Sequence, residues 1–327
     1  MTGDRPASRA AVFWSFAAIY IVWGSTYLAI RVVVTAAPPF ISAGSRFLMA
    51  GALLYWWARR RGVAAPPLRR WGYGFVLGAL FFLLGNGGIS WAETRIPSGL
   101  TALLAATSPL FTAVFESARA RWERPPFRVV VGVFAGLAGV GLLIAPGEFI
   151  GGRNADLLGA AAITVAALAW ALGSVAGHAE PLHHSPQLAT GMTMLCGGAL
   201  LVVLGLLTGE AGRITAESFA PPVILAWTYL IVFGSLLGFS AFIYLLRVST
   251  PQKVSTSAFV NPLVAVILGW LMLGESISGR TLVAGVIILG AVILIRGLGW
   301  GALAARSRAA WGSLRREKKG QGPGPVP

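Results

Sequence analysis

GSRFLMAGALL, residues 44–54, returns 147 residues later as GMTMLCGGALL, residues 191–201. Gly44 meets Gly191 at this offset, Gly51-Ala52-Leu53-Leu54 meets Gly198-Ala199-Leu200-Leu201, and further upstream Trp23 meets Trp170. A second offset, 153, aligns Leu83-Leu84-Gly85 with Leu236-Leu237-Gly238, Ala105 with Ala258, Pro109-Leu110 with Pro262-Leu263, and Gly132-Val133 with Gly285-Val286. Six residues are gained in a loop between the two blocks. Apolar sequences match by chance at single positions, so the weight rests on Gly and Pro coinciding at constant offset. The chain repeats itself.

What repeats is a set of membrane spans. Of 327 residues, 56% are apolar and 11% charged, with a mean hydropathy of +0.74, a balance outside the ordinary soluble classes. A spanning helix needs about 20 mostly apolar residues to cross roughly 30 Å of hydrocarbon. Ten stretches meet or approach that length: 11–30, 39–57, 71–92, 100–115, 127–145, 157–176, 188–207, 223–246, 254–273 and 282–295. They predict an all-α integral membrane protein with ten transmembrane helices, built as two five-helix repeats over 11–146 and 157–296. A basic tail, 297–327, is expected to be disordered in the cytoplasm. Five is an odd number, so the second copy enters the membrane from the opposite side and the repeat is inverted. Alternating-access transporters use this architecture, because two similar halves of opposite orientation can exchange conformations around a midplane site. The 42 glycines point to close helix packing. Cys196 stands alone and can form no intrachain disulfide. A cleaved signal peptide does not fit the first span, which is longer than a signal core of about 7–15 residues and is followed by nine more spans.

The 26 basic and 11 acidic residues give a net charge of +15, which in a soluble chain would suggest nucleic acid. Position gives a different meaning. With the N-terminus inside, the cytoplasmic side holds two basic residues before the first span, five over 59–70, four over 119–128, Arg247 and Lys253, and seven from Arg296 onward, or 20 in all. The other side holds five: Arg31, Arg95, Arg153, Arg213 and Arg280. This asymmetry predicts that both termini are cytoplasmic, with the charge serving topology and contact with anionic lipid rather than nucleic acid.

Uncharged polar and aromatic residues recur within the spans at i, i+4, hence on one helix face: Trp23 with Tyr27, Asn86 with Ser90, Trp170 with Ser174, Ser240 with Tyr244, and Ser257 with Asn261. Such faces avoid lipid. They predict either interhelical hydrogen bonding or, for the set together, an amphipathic central cavity for a small-molecule substrate. Arg46 is the one basic residue well inside a span, about 10 Å deep at the helical rise. It is a candidate for substrate binding, against snorkelling or bonding to carbonyls. Trp56, Trp57, Trp71, Trp227 and Trp300 lie at span ends as interface anchors. Glu93, Glu116 and Glu275 end their spans near the surface, so no mid-membrane carboxylate is expected for a proton relay. His178, His183 and His184 share a Pro-containing connection without Cys or an acidic cluster, an arrangement unsuited to metal. No phosphate-binding loop is present, and no cofactor is expected.

The run WGSTYLAIR (23–31), PPFISAGSRFLMAG (38–51), GNGGISWAE (85–93) followed by PSGLTALLAATSPLF (97–111), then WALGSV (170–175) and VNPLVAVILGWLMLGES (260–276) resemble the EamA family of the drug/metabolite transporter superfamily. The likeness runs from about Ala11 to Arg296 and is greatest to bacterial inner-membrane exporters. It implies a ten-span inverted repeat with cytoplasmic termini, a central cavity, and efflux or exchange of amino acids, related metabolites or drugs. Glu275 departs from the internal repeat, since Glu123 is displaced by one from its counterpart position. The expectation is a secondary transporter, most simply an exporter, rocking at positions such as Pro109 and Pro262. A lipid flippase or passive facilitator would need the same cavity, and an intramembrane enzyme would need a nucleophile and base or a metal at shared depth. The sequence fits a monomer without fixing the oligomeric state.

Overall fold

Helices account for every regular element that the computed structural model of the protein describes, over residues 8–96, 101, 104–120, 126–143, 157–264 and 279–296. The longer ones are α1 (Arg9–Val34), α2 (Pro39–Arg60), α3 (Leu68–Ala92), α4 (Ser108–Arg119), α5 (Phe127–Leu143), α6 (Leu157–Ala179), α7 (Pro186–Leu207), α8 (Pro221–Val248) and α9 (Gly279–Arg296), with short helices at Glu210–Arg213, Ala216–Phe219 and Pro251–Val254 and a helical stretch at 257–264 before α9. The tail 297–327 with Trp300, the remainder of the ninth span with Glu275, parts of the fourth, and Glu123 and Arg153 lie outside the described residues. Five helices, α1, α3, α6, α7 and α8, have 22 to 28 residues and are apolar enough to cross a bilayer. At about 1.5 Å per residue each exceeds the roughly 30 Å of hydrocarbon. Shorter apolar stretches occupy Phe127–Gly139 and Leu282–Ile295. The chain is a multi-pass membrane protein.

Proline opens and glycine closes the two helices that carry the repeated run. Pro39 and Pro186 stand in the first turns of α2 and α7, where the missing N–H costs no bond. Gly62 and Gly209 follow the last turns with φ of 78° and 74°, a left-handed conformation that glycine adopts without a Cβ penalty. Both pairs are 147 residues apart. The helices then pack on each other. A Cβ built on Gly44 would lie 3.0 Å from the Gly198 carbonyl oxygen, and one on Gly51 would lie 2.9 Å from that of Gly191. Residue number rises along α2 as it falls along α7, so the pair is antiparallel, and its backbones touch because no side chain intervenes. Helices α5 and α9 also pair antiparallel, with Gly132 making room for the Ile295 side chain and Gly139 for that of Ile288.

The middles of α3 and α8 are wound as π-helix over Ala79–Asn86 and Leu230–Phe239, a form concentrated at functional sites. Inter-half contacts also secure the ends. Proline leaves the start of α2 without a side-chain cap, and Glu210, beyond α7, accepts from the backbone amides of Phe40 at 3.3 Å and Ile41 at 2.8 Å. This satisfies donors that the first turn cannot pair internally. Trp56 and Trp57 are 57% and 41% exposed, with the guanidinium groups of Arg60 and Arg61 over their rings. Trp227 differs from its expected role as an interface anchor: it turns inward, and its Nε1 donates to the Ser42 carbonyl at 3.0 Å. Trp71 packs on Tyr55 with centroids 5.8 Å apart.

Candidate functional site

Trp23 on α1 and Trp170 on α6, the pair matched by the first offset, meet edge to face with ring centroids 5.4 Å apart and planes at 85°. Each ring also rests on a glycine in the π-wound segment of the opposite half. A Cβ on Gly85 would stand 3.2 Å from Trp170, and one on Gly238 would stand 2.5 Å from Trp23 Nε1. Gly85 and Gly238 are themselves matched by the second offset, so the same contact is made twice. The Trp23 indole donates to the Gly234 carbonyl at 3.1 Å, which fixes its ring. Phe81 and Phe242 back this pair, the floor of the site, from behind, 5.1 and 5.2 Å from Trp170, Phe81 in the edge-on geometry that aromatic quadrupoles favour.

Against this floor lies a cavity of about 870 Å³, counting its open mouth. Its polar wall holds Tyr27, Arg46, Asn86, Ser257 and Asn261. Asn86 is held in place from two sides. Its Nδ2 donates to the Phe81 carbonyl at 3.1 Å, spanning the five residues of a π turn, and its Oδ1 accepts from Arg46 Nη2 at 3.3 Å. Arg46 is only 6% exposed, so its guanidinium does not snorkel. Its Nε has no hydrogen-bond partner, and no carboxylate pairs with it among the described residues. Tyr27 lies beside Asn261, whose Oδ1 is also without a partner. A buried cation without a counter-ion is costly, and here it borders a space where an anionic group could supply one.

The structure brings seven of the eleven sequence-predicted residues to this cavity: Trp23, Tyr27, Arg46, Asn86, Trp170, Ser257 and Asn261. Four lie elsewhere. Ser90 is buried against a smaller void behind Arg46. Ser174 donates to the Trp170 carbonyl at 2.7 Å, so its own helix satisfies it. Ser240 has a buried hydroxyl without a partner, and Tyr244 is half-buried. These last two follow the π segment of α8, which changes the bearing of the helix face and presents Gly234 and Phe239 to the cavity instead. The sequence reading missed Thr26, Phe47, Ser108 and Ser255. Ser108 was within reach, since it is the counterpart of Asn261 at the offset of 153. Glu93 also departs from expectation: it is 0% exposed rather than near the surface.

The sequence pattern of the EamA-like transporter family matches the chain twice, over residues 9–145 and 157–297. The chain belongs to this family. Among its relatives is the "Uncharacterized inner membrane transporter YedA" of Escherichia coli strain K12, 36% identical over 291 residues, which cover 87% of this chain and 90% of the relative. "Protein PecM" of Dickeya dadantii is 29% identical, covering 84% and 89% of the two chains. The "Probable amino-acid metabolite efflux pump" of Salmonella typhimurium is 26% identical, covering 83% and 90%. A solved crystal structure superposes with a TM-score of 0.69 at 22% identity, over 88% of this chain and 96% of that one, which establishes likeness of fold. An EamA-like chain whose aromatic floor contacts substrate should lose function when that floor is cut. Trp23→Ala is expected to lower transport about tenfold, the equivalent of about 1.4 kcal/mol, while Trp57→Ala, at the lipid-facing end of α2, stays within about twofold. Initial rates in proteoliposomes at matched protein content check both.

Proposed function

We propose that the protein is a secondary transporter rather than an enzyme, exporting small organic molecules that combine an anionic group with a flat apolar body. Transport proceeds by alternating access around the Trp23–Trp170 cavity. The observation that carries this reading is the buried Arg46 guanidinium, paired with no carboxylate among the described residues, beside an aromatic pair contributed equally by the two halves. Substrate is held by Trp23, Tyr27, Arg46, Asn86, Trp170, Ser257 and Asn261. No Asp or Glu among the described residues lines the cavity, which favours organic anions over amino acids, whose ammonium group would lack a partner.

An inverted repeat of two five-helix halves is part of the same proposal. Gly44 meets Gly198, the counterpart of Gly51, and Gly51 meets Gly191, the counterpart of Gly44, the reciprocal pattern a two-fold axis generates. Antiparallel pairing of α2 with α7 supports an axis perpendicular to the helices, hence in the membrane plane. The polar wall breaks this symmetry. Arg46, Asn86 and Tyr27 correspond to Thr193, Phe239 and Ser174 in the other half, which gives a substrate one preferred orientation. The 20 to 5 basic asymmetry supports cytoplasmic termini, and the inner-membrane relative supports the same membrane here. The cavity is lined by a single chain, so the proposed cycle calls for neither a second copy nor nucleic acid.

Counterflow in proteoliposomes tests the function. Vesicles preloaded with an unlabelled aromatic carboxylate should transiently accumulate the labelled compound above its external concentration, more strongly than they accumulate the matching amino acid. Flux without overshoot would identify a passive pathway, and no saturable flux of any organic anion would reject the substrate class.

A further inference from the structure

The most unusual titratable group in the described residues lies outside the cavity wall. Glu93 follows the last residue of α3, one turn beyond Ile89 and two turns beyond Asn86 on the same helix face, and both of those residues line the cavity. Its side chain is fully buried, and neither carboxylate oxygen has a hydrogen-bond partner. The nearest cation is already engaged: Arg31 Nη1 on α1 donates to the main-chain oxygen of Glu93, not to its carboxylate. One turn back on α1 is Tyr27, within electrostatic reach of Glu93 and beside Asn261. The other elements packed on this end of α3 add little charge among the described residues. Helix α2 offers Arg46, which is bonded to Asn86 two turns away, and the half of α6 that starts at Leu157 carries no charged or titratable residue as far as Trp170. Arg95, beyond the end of α3, has its guanidinium over the Trp91 ring.

A dry carboxyl group without donors around it is stable as the neutral acid and unstable as the anion. Admitting water at this end of the bundle reverses the preference. We infer that Glu93 is a proton-binding site coupled to transport: it takes up a proton when its end of the bundle closes dry around it and gives that proton to water when the end opens. The step is a simple exchange, in which one O–H bond forms at the carboxyl group as one hydronium is consumed, and the reverse occurs on release. This inference rests on the transporter reading above and supplies the driving ion for the same cavity. Tyr27 belongs to the substrate wall and lies within electrostatic reach of the proton site, so protonation and substrate binding act on the same stretch of α1.

Two measurements on the full-length reconstituted protein test it. Infrared difference spectra taken across a pH titration in lipid should show a titrating carboxylic-acid carbonyl band that is absent in Glu93→Gln, and this readout needs no substrate. In proteoliposomes, an imposed pH gradient should drive net transport by the wild type at least about tenfold faster than equal pH. Glu93→Gln should keep substrate exchange and lose that acceleration, and Glu93→Asp should retain it. An acid band unchanged in Glu93→Gln, or gradient-driven transport that survives the substitution, would overturn the proposal. If Glu93→Gln fails to give a monodisperse protein, Glu93→Asp decides: its acid band must shift in frequency, and an unshifted band overturns the assignment. Wild-type vesicles that move no organic anion contradict the transporter reading, while the infrared arm still decides whether Glu93 binds a proton. Exchange that is saturable but indifferent to the pH gradient removes the coupling and leaves the transporter reading intact.

Discussion

Arg46→Met is expected to raise the substrate KM by roughly 30- to 4,000-fold, the equivalent of about 2–5 kcal/mol for truncating one partner of a buried charge pair. It should do so without lowering the thermal stability of the purified protein. The two parts of this result belong together. The guanidinium is buried, with one hydrogen bond at 3.3 Å, the Phe47 ring 4.1 Å from its Cζ, and an unpartnered Nε. Replacing it with an apolar chain of similar length relieves a desolvated charge and is neutral or stabilising, while Asn86 keeps its bond to the Phe81 carbonyl. Only the bound state loses. Arg46→Lys should fall between wild type and Arg46→Met, because it keeps the charge and loses the planar fork. KM from initial rates and melting temperature from fluorescence-detected size exclusion check the pair. Equal loss of stability and transport would make Arg46 a structural residue.

The second large effect is mechanical. Gly51→Val should lower the yield of folded protein severely, because a Cβ at this position would lie 2.9 Å from the Gly191 carbonyl oxygen and 2.9 Å from the Leu195 amide nitrogen. Those atoms are backbone and cannot rotate away. Even Gly51→Ala is expected to cost about 1–3 kcal/mol by forcing α2 away from α7. Gly72→Ala is the control: nothing lies within 4 Å of a Cβ there, and its better helix propensity should leave stability unchanged or raise it by up to about 1 kcal/mol. Gly191→Ala presses on the same crossing from the other side, 2.8 Å from the Tyr55 amide nitrogen. Its effect should therefore not add to that of Gly51→Ala. Melting temperatures of the four single variants and the double variant measure this directly.

Much of the fold and part of the site were legible before any coordinates. The offset that pairs Trp23 with Trp170 requires only identity at fixed spacing, and the rings that it pairs are in contact. The i, i+4 rule found the polar faces of α1 and the stretch at 257–264, where regular winding carries a face along the helix, while on α3, whose π segment ends at Asn86, it brought Asn86 to the cavity and not Ser90. It failed on α8 because π winding over Leu230–Phe239 cannot be read from a run of Leu, Val, Gly and Phe. Everything beyond that segment, including Ser240 and Tyr244, then takes a bearing that the sequence spacing does not predict. It failed on α6 for a simpler reason. Ser174 bonds to the carbonyl four residues back, a local satisfaction open to any Ser in a membrane helix. Burial at helix ends was the other blind spot. Glu93 and Trp227 sit where chain position suggests the interface, yet Glu93 is buried and Trp227 half-buried, and each bonds to a group far away in sequence, Arg31 for one and Ser42 for the other.

The most direct test of one cavity serving both sides of the membrane is accessibility at Ala258, which lines it and is the counterpart of Ala105. In a Cys196→Ala background, which removes the chain's one native cysteine, Ala258→Cys is to be exposed to a membrane-impermeant thiol reagent from either face of oriented vesicles. Alternating access predicts labelling from both sides, slowed from both by the organic anion that shows counterflow. Labelling from one side alone, whatever the substrate, or none from either, would contradict a cavity that opens to each side in turn.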